Sequence, residues 1–235
     1  MIKQINKFTK DNYSCRYYDE NNINSLKNSH HRSALKVIHI NISSIAKHDN
    51  ELSSYLEYLN INYGIIMLTE TRETTVDIIN MYFPNYDIFI KNPNSPKGGA
   101  CILTAKNMFK NIQVVHDEPF NLGNKCNCDQ CEINNIWITL EANNKNMLIG
   151  CIYRHPKSPS AIPHFTANLN ELMKNINDNT TTIIAGDFNI DLIDSQNTHV
   201  EQYVDTILQN SFIPCITIPT RITDHSTTLL DHILL

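Results

Sequence analysis

The sequence predicts a layered α/β protein, on three observations. Short apolar runs recur along the chain, too short and too rich in β-branched residues for helices. A few longer segments between them place apolar residues at 3-4 spacing, the mark of a helix with one buried face. Several of the apolar runs end abruptly in a polar side chain, as strands do where a sheet presents a ligand site.

At 235 residues and 41% hydrophobic, the chain can build one substantial core and is short for two ordinary domains. The apolar content excludes a disordered chain. No apolar run approaches the roughly 20 residues of a spanning helix, so no membrane partner is expected. MIKQINKFTK has no apolar centre of the kind a secretory signal needs, which predicts a nuclear or cytoplasmic protein. Seven cysteines are then read as reduced thiols rather than a disulfide framework. Cys101, Cys151 and Cys215 stand in apolar runs and read as small core residues.

Residues 1–33 show no sustained apolar period, which predicts a mobile leader; the ordered domain is expected over 34–235. Strands are expected at 35–42, 64–70, 86–91, 100–106, 111–117, 136–142, 146–154 and 180–190. NPNSPKGG (92–99) reads as a turn. A helix at 48–60 aligns Leu52, Tyr55, Leu56 and Leu59, and a helix or turn is expected around 74–82. A third, at 160–177, aligns Phe165, Leu169, Leu172, Met173 and Ile176, and a fourth covers 198–210. A short strand at 212–217 and a last one at 227–235 complete the chain. The strand pair 35–42 and 64–70 is echoed by the pair 146–154 and 180–190.

Net charge is −5, spread unevenly: residues 1–110 carry +3 and residues 111–235 carry −8. The acids of the second half are either ordinary solvated side chains or a set gathered round a hard cation. Asn41, Glu70, Tyr153, the pair Asp187 and Asn189, and Asp231 with His232 all stand at strand ends. Each also has a structural reading. Asn41 suits a turn and Glu70 a solvated end. Tyr153 suits the core. GDFN suits a turn closed by an Asx bond. His232 alternates out of phase with Asp231 and belongs to the opposite sheet face.

Together HIN, LTETR, IYRHP, GDFN and TTLLDHIL resemble the endonuclease/exonuclease/phosphatase superfamily, the deoxyribonuclease I-like fold. Within it they resemble the apurinic-type endonuclease domain of non-LTR retrotransposons, for which IPTRIT…TTLLDHIL is typical. The resemblance spans about residues 35–235. It implies a four-layer α/β sandwich, two packed mixed β-sheets flanked by helices, and hydrolysis of phosphodiesters in DNA with Mg²⁺, or Mn²⁺ in its place. It implies that Glu70 ligates the metal with Asn41 beside it, and that Asp187 orients and deprotonates the attacking water. Asn189, taken to lie on the same side of an extended segment, would hold that water and the phosphate. Tyr153 would bond a phosphate oxygen, and Asp231 would orient a histidine. Thr220 would contact the substrate backbone. Arg72 and Arg154, which directly follow motif residues, and Arg221 and Lys36 are candidates for phosphate contacts.

The family pattern continues beyond LLDHI with two strands and a Ser-Asp-His element. Its absence predicts a truncated chain with little or no activity of its own, from a parent that nicks DNA beside a reverse transcriptase domain. His225, ahead of the last strand, reads as a loop residue. A phosphatase or phosphodiesterase acting on a phospholipid or inositol phosphate, and a non-catalytic remnant, are the competing functions. Separately, Cys126, Cys128 and Cys131 fall within six residues. They read as a loop insertion with incidental thiols, or as a Zn²⁺ site with His116 or an outside group as fourth ligand.

Overall fold

The structure is a computed structural model that describes residues 15–18, 22–23, 34–93, 96–116, 120, 122, 133–156 and 161–235. Cys126, Cys128 and Cys131 lie outside these residues, as does most of the segment 1–33. Of that segment, Ile23 is buried and Tyr18 packs against the same apolar cluster, while the Tyr17 hydroxyl donates to the Pro219 carbonyl at 3.0 Å.

Two sheets are formed. The first has the order β1–β2–β4–β3, from β1 (Val37–Asn41), β2 (Ile65–Thr69), β3 (Tyr86–Lys91) and β4 (Ala100–Ala105). The second has the order β11–β8–β7–β6–β5. Its strands are β5 (Lys110–Val114), β6 (Ile133–Ala142), β7 (Lys145–Arg154), β8 (Thr181–Asp187) and β11 (Asp231–Leu234). A small hairpin joins β9 (Arg221–Ile222) and β10 (Thr227–Thr228). The echo in the sequence is a true structural repeat. β1 pairs with β2 in parallel across helix α1 (Ile45–Leu59), and β7 pairs with β8 in parallel across helix α3 (Ala161–Lys174). All other strand pairs are antiparallel, so both sheets are mixed.

Period-2 alternation builds three apolar layers. Met67, Ile102, Ile138, Ile149, Cys151 and Ala185 face inward and join the sheets. Ile66, Leu68, Cys101 and Leu103 face out to α1 and to α2 (Val76–Tyr82). Trp137, Leu148, Ile152 and Ile184 face α3 and α4 (Thr198–Gln209). The result is the four-layer sandwich. α3 buries Phe165, Leu169, Leu172 and Met173 as its spacing predicts; it ends at Lys174, and Ile176 just beyond it is partly covered. On α1 the buried set is Ile45, Leu52 and Leu59, and Tyr55 is 50% exposed, turned instead toward a cleft. No described helix is long and apolar enough to cross a membrane.

β5 ends at Val114 rather than at 117, and β6 begins at Ile133 rather than at 136; three further strand ends also differ from expectation. The segment 212–217 forms only an isolated bridge, Pro214 to Leu234, flanked by backbone bonds of Ile213 with Leu235 and of Cys215 with Ile233. The run 227–235 is two strands. Between them Leu229 N–H donates to Asp191 Oδ1, and the Leu230 and Asp231 N–H groups both donate to Thr220 Oγ1. β8 stops at Asp187 rather than at residue 190, because the chain turns there.

β8 also explains a glycine. A Cβ on Gly186 would collide with the Ile152 carbonyl oxygen and stand 2.7 Å from its carbon, both backbone atoms of the neighbouring parallel strand. Neither can move without breaking the ladder. Gly186→Ala is expected to cost about 3 kcal/mol or more, read as a lowered midpoint in urea unfolding.

Candidate active site

The site forms where the inward faces of both sheets reach the same rim. On β1 the alternation sends Val37, His39 and Asn41 inward, toward the second sheet. Parallel pairing sets Asn41 opposite Thr69, and Glu70 follows at once. On the second sheet Asp187 is flanked by Tyr153 of β7 on one side and Asp231 of β11 on the other. One side chain ties the two sheets together. Asn41 Nδ2 donates to Glu70 Oε1 at 2.9 Å and to Asp187 Oδ2 at 2.7 Å, while its Oδ1 accepts from Ser43 N–H at 3.1 Å. The amide thus reaches a carboxylate 146 positions further along the chain.

The rim backbone is unusual. Ser43, Glu70, Arg72 and Asn189 all hold left-handed φ between 49° and 59°. Non-glycine residues rarely adopt this region, and such strain gathers at functional sites.

The structure brings Asn41, Glu70, Asp187, Asn189, Thr220, Arg221 and Asp231 to the wall of one cleft of about 720 Å³, with His39 and Tyr55 beside them. Asn189 does not lie on an extended segment. It ends an Asx turn in which its N–H donates to Asp187 Oδ1 at 3.0 Å, and its Nδ2 donates to the Arg154 carbonyl at 2.8 Å. The turn reading of GDFN is met, and the turn holds the Asp187 carboxylate at the cleft wall. Arg154 is buried at 4% exposure, and its Nε and Nη2 each donate at 2.6 Å to the Phe188 and Asn189 carbonyls. Its guanidinium clamps that turn from behind. Thr220 ties down the start of β11 through its hydroxyl. Tyr153 is buried at the strand end, edge-on to His155. Arg72 is half-buried, with its N–H donating to the Gly98 carbonyl. Arg221 is exposed on the cleft wall. Lys36 precedes β1 and so stands at the opposite end of that strand from Asn41.

Both other histidines of the motif region are accounted for. His232 is 1% exposed, stacks on Phe188 at 4.8 Å, accepts from the Tyr203 hydroxyl at Nδ1 and donates through Nε2 to the Ile190 carbonyl. His225 is exposed at the hairpin tip. Two residues at the site were not singled out from sequence. Asn134 accepts from Gly99 N–H and holds the 98–99 turn against Tyr153. His39 lies under Asn41 and faces Asp231. For His39 the signal was present in HIN, since positions i and i+2 of a strand share a face.

Electrostatics follow from crowding acids in a half-buried seam. Burial pushes the Asp187 carboxyl up to about 7, Asp231 and Glu70 push the same way, and the Asn189 and Asn41 donors only partly oppose them. Burial lowers His39 to about 4 against the pull of Asp231. Glu70, Asp187 and Asp231 offer carboxylate oxygens in surplus negative charge, which suits a hard divalent cation, while Asn41 turns its NH2 group rather than its oxygen toward Glu70 and Asp187. Among the described residues no three acidic, histidine or cysteine side chains are grouped to hold an ion alone. Glu70 would therefore hold an ion that keeps most of its own water, with Asn41 as a ligand only if its amide turned its oxygen to the ion.

A raised carboxyl makes the folded state bind a proton more tightly than the unfolded chain. Asp187 thus contributes stability at low pH that is lost as pH rises from about 4 to about 7. Without divalent ions, stability is expected to fall over that window, and Asp187→Asn to flatten the fall and leave the protein more stable at pH 7. Urea titrations at stepped pH measure this.

No protein-family model matches the chain, and no curated protein is significantly similar to it in sequence. Solved structures do match. A mannosyl-6-phosphatase from Bacteroides thetaiotaomicron superposes with TM-score 0.64 at 14% identity, over 86% of this chain and 85% of that one. An AP endonuclease from Archaeoglobus fulgidus gives TM-score 0.59 at 14% identity, over 86% of each chain. A D. rerio TDP2 complexed with a single-strand DNA product gives 0.57 at 13%, over 85% of this chain and 82% of that one. With endonuclease/exonuclease/phosphatase family proteins also among the matches, two mixed sheets packed face to face between helix layers identify the fold of this chain as the endonuclease/exonuclease/phosphatase fold.

Proposed function

We propose that this chain hydrolyses phosphodiesters with a divalent cation, and that its substrate is DNA, which it nicks as the endonuclease domain of a retrotransposon protein that also carries a reverse transcriptase. The observation that carries the reading is the Asn41 amide bonded to both Glu70 and Asp187. It sets the carboxylate suited to a metal and the carboxylate suited to a water within reach of one phosphate. The likeness to an AP endonuclease and to a DNA-bound TDP2 supports the choice of DNA, and PTRI…TTLLDHI supports the retrotransposon type.

In this reading Asp187 takes the proton of the attacking water. A carboxyl near 7 is a stronger base than an ordinary aspartate, and it still ionises near neutral pH. The Asx turn and the Arg154 clamp fix its direction. Asn189 flanks the same water, Tyr153 bonds a phosphate oxygen, and Arg72 and Arg221 meet the backbone phosphates on either side. A bound Mg²⁺ or Mn²⁺ would supply Lewis-acid polarisation of the phosphoryl oxygen. Phosphomonoester hydrolysis is the second reading, favoured by the likeness to the mannosyl-6-phosphatase.

Supercoiled plasmid with Mg²⁺ tests the first reading, with a sugar 6-phosphate and an inositol phosphate as parallel substrates. Nicking of the plasmid, reduced at least about 100-fold by Glu70→Ala and by Asp187→Asn and abolished by a chelator, supports the first reading and overturns the expectation, drawn from the sequence, of little or no activity. Phosphate release from the monoesters without nicking favours the second reading.

A further inference from the structure

Beneath the rim lies a histidine that the proposed chemistry does not use. His39 is on β1, two residues before Asn41 and on the same inward face; its side chain is only 4% exposed. Its Nε2 is 3.0 Å from Thr69 Oγ1, on the adjacent strand of the first sheet. Its Nδ1 faces Asp231 Oδ1 across the seam at 3.7 Å. That oxygen is buried and has no hydrogen-bond partner among the described residues. A carboxylate has no proton to give, so only a proton on Nδ1 makes this approach attractive. Nε2 is then left to accept from the Thr69 hydroxyl. The backbone holds Asp231 from its other side, through the Thr220 hydroxyl on its N–H.

We propose that His39 is a positioning residue: Thr69 fixes its ring, and its Nδ1–H aims the Asp231 carboxylate at the rim beside Asp187. The inference takes its chemistry from the reading above, but the contact itself does not depend on it. Asp231 was expected to serve a histidine supplied from beyond TTLLDHIL; the imidazole it faces comes from the opposite sheet. Like Asn41, His39 joins the two sheets, one step deeper in the seam. Loss of its Nδ1–H would leave Asp231 free to turn from the cleft or to crowd Asp187.

Two isosteric variants separate the ring nitrogens. His39→Asn puts an amide nitrogen near the place of Nδ1, and His39→Gln puts one near the place of Nε2. Imidazole ¹⁵N spectra of the substrate-free protein are expected to show His39 protonated on Nδ1, with a signal that moves in Asp231→Asn. With plasmid and Mg²⁺, His39→Gln is expected to lower kcat about 10- to 100-fold with KM little changed. His39→Asn recovers most of that loss, and His39→Gln has no further effect when added to Asp231→Asn. A proton on Nε2, a signal indifferent to Asp231→Asn, or equal losses in both His39 variants overturns the proposal. If the wild type cleaves no phosphate ester, the functional reading fails, and the tautomer and its response to Asp231→Asn still decide the contact.

Discussion

Everything at the rim depends on crowding carboxylates where two sheets meet. Glu70 and Asp187 converge on one amide, and Asp231 is the register partner of Asp187. Two full charges about 4 Å apart near a protein surface repel by roughly 4 kcal/mol. Hydrogen bonds to charged groups return about 1.5–3 kcal/mol each. The two donated by Asn41 can balance one such repulsion but not a third carboxylate as well. Burial of Asp187, with this remainder added, raises its carboxyl to about 7. A protein selected for stability alone would not keep this arrangement, and active sites are where such frustration is tolerated.

The fold makes the crowding possible by repetition and by buttressing. The two parallel strand pairs, β1 with β2 and β7 with β8, send four strand ends to the same side of the sandwich. Alternation then decides which side chains reach the seam. The rim residues are held from behind as well as by each other. Arg154 clamps the turn after Asp187, Thr220 pins the start of β11, and Asn134 fixes the glycine turn beside Tyr153. The left-handed residues Ser43, Glu70, Arg72 and Asn189 belong to the same design, since each turns the chain sharply just past a strand end.

Buttressing also explains why residues that look alike in sequence differ in space. Arg154 and Arg72 each follow a motif residue. The first is buried against two carbonyls, and the second is half-exposed with its backbone bonded to the 98–99 turn. His39 and His232 are both deeply buried histidines on strands. The first faces Asp231 across the seam, while the second is sealed between Tyr203 and Phe188 in the helix-side layer. The difference is one of phase along a strand, Asp231 and His232 pointing to opposite faces.

The sequence by itself determined the elements and the sides they present. Apolar runs gave strands, 3-4 spacing gave α1, α3 and α4, and alternation put His232 away from Asp231, because these follow from the local periods of 2 and 3.6 residues. It also determined which polar residues end strands. What it left undecided were matters settled by partners distant in the chain. The break between Thr228 and Asp231 depends on Asp191 and Thr220 capturing backbone N–H groups. The burial of Arg154 depends on where Phe188 and Asn189 turn. The meeting of Asn41 with Asp187, and of His39 with Asp231, requires two sheets to pack face to face. Only the tertiary structure decides those pairings, because no local period encodes which rim of one sheet will lie against which rim of the other.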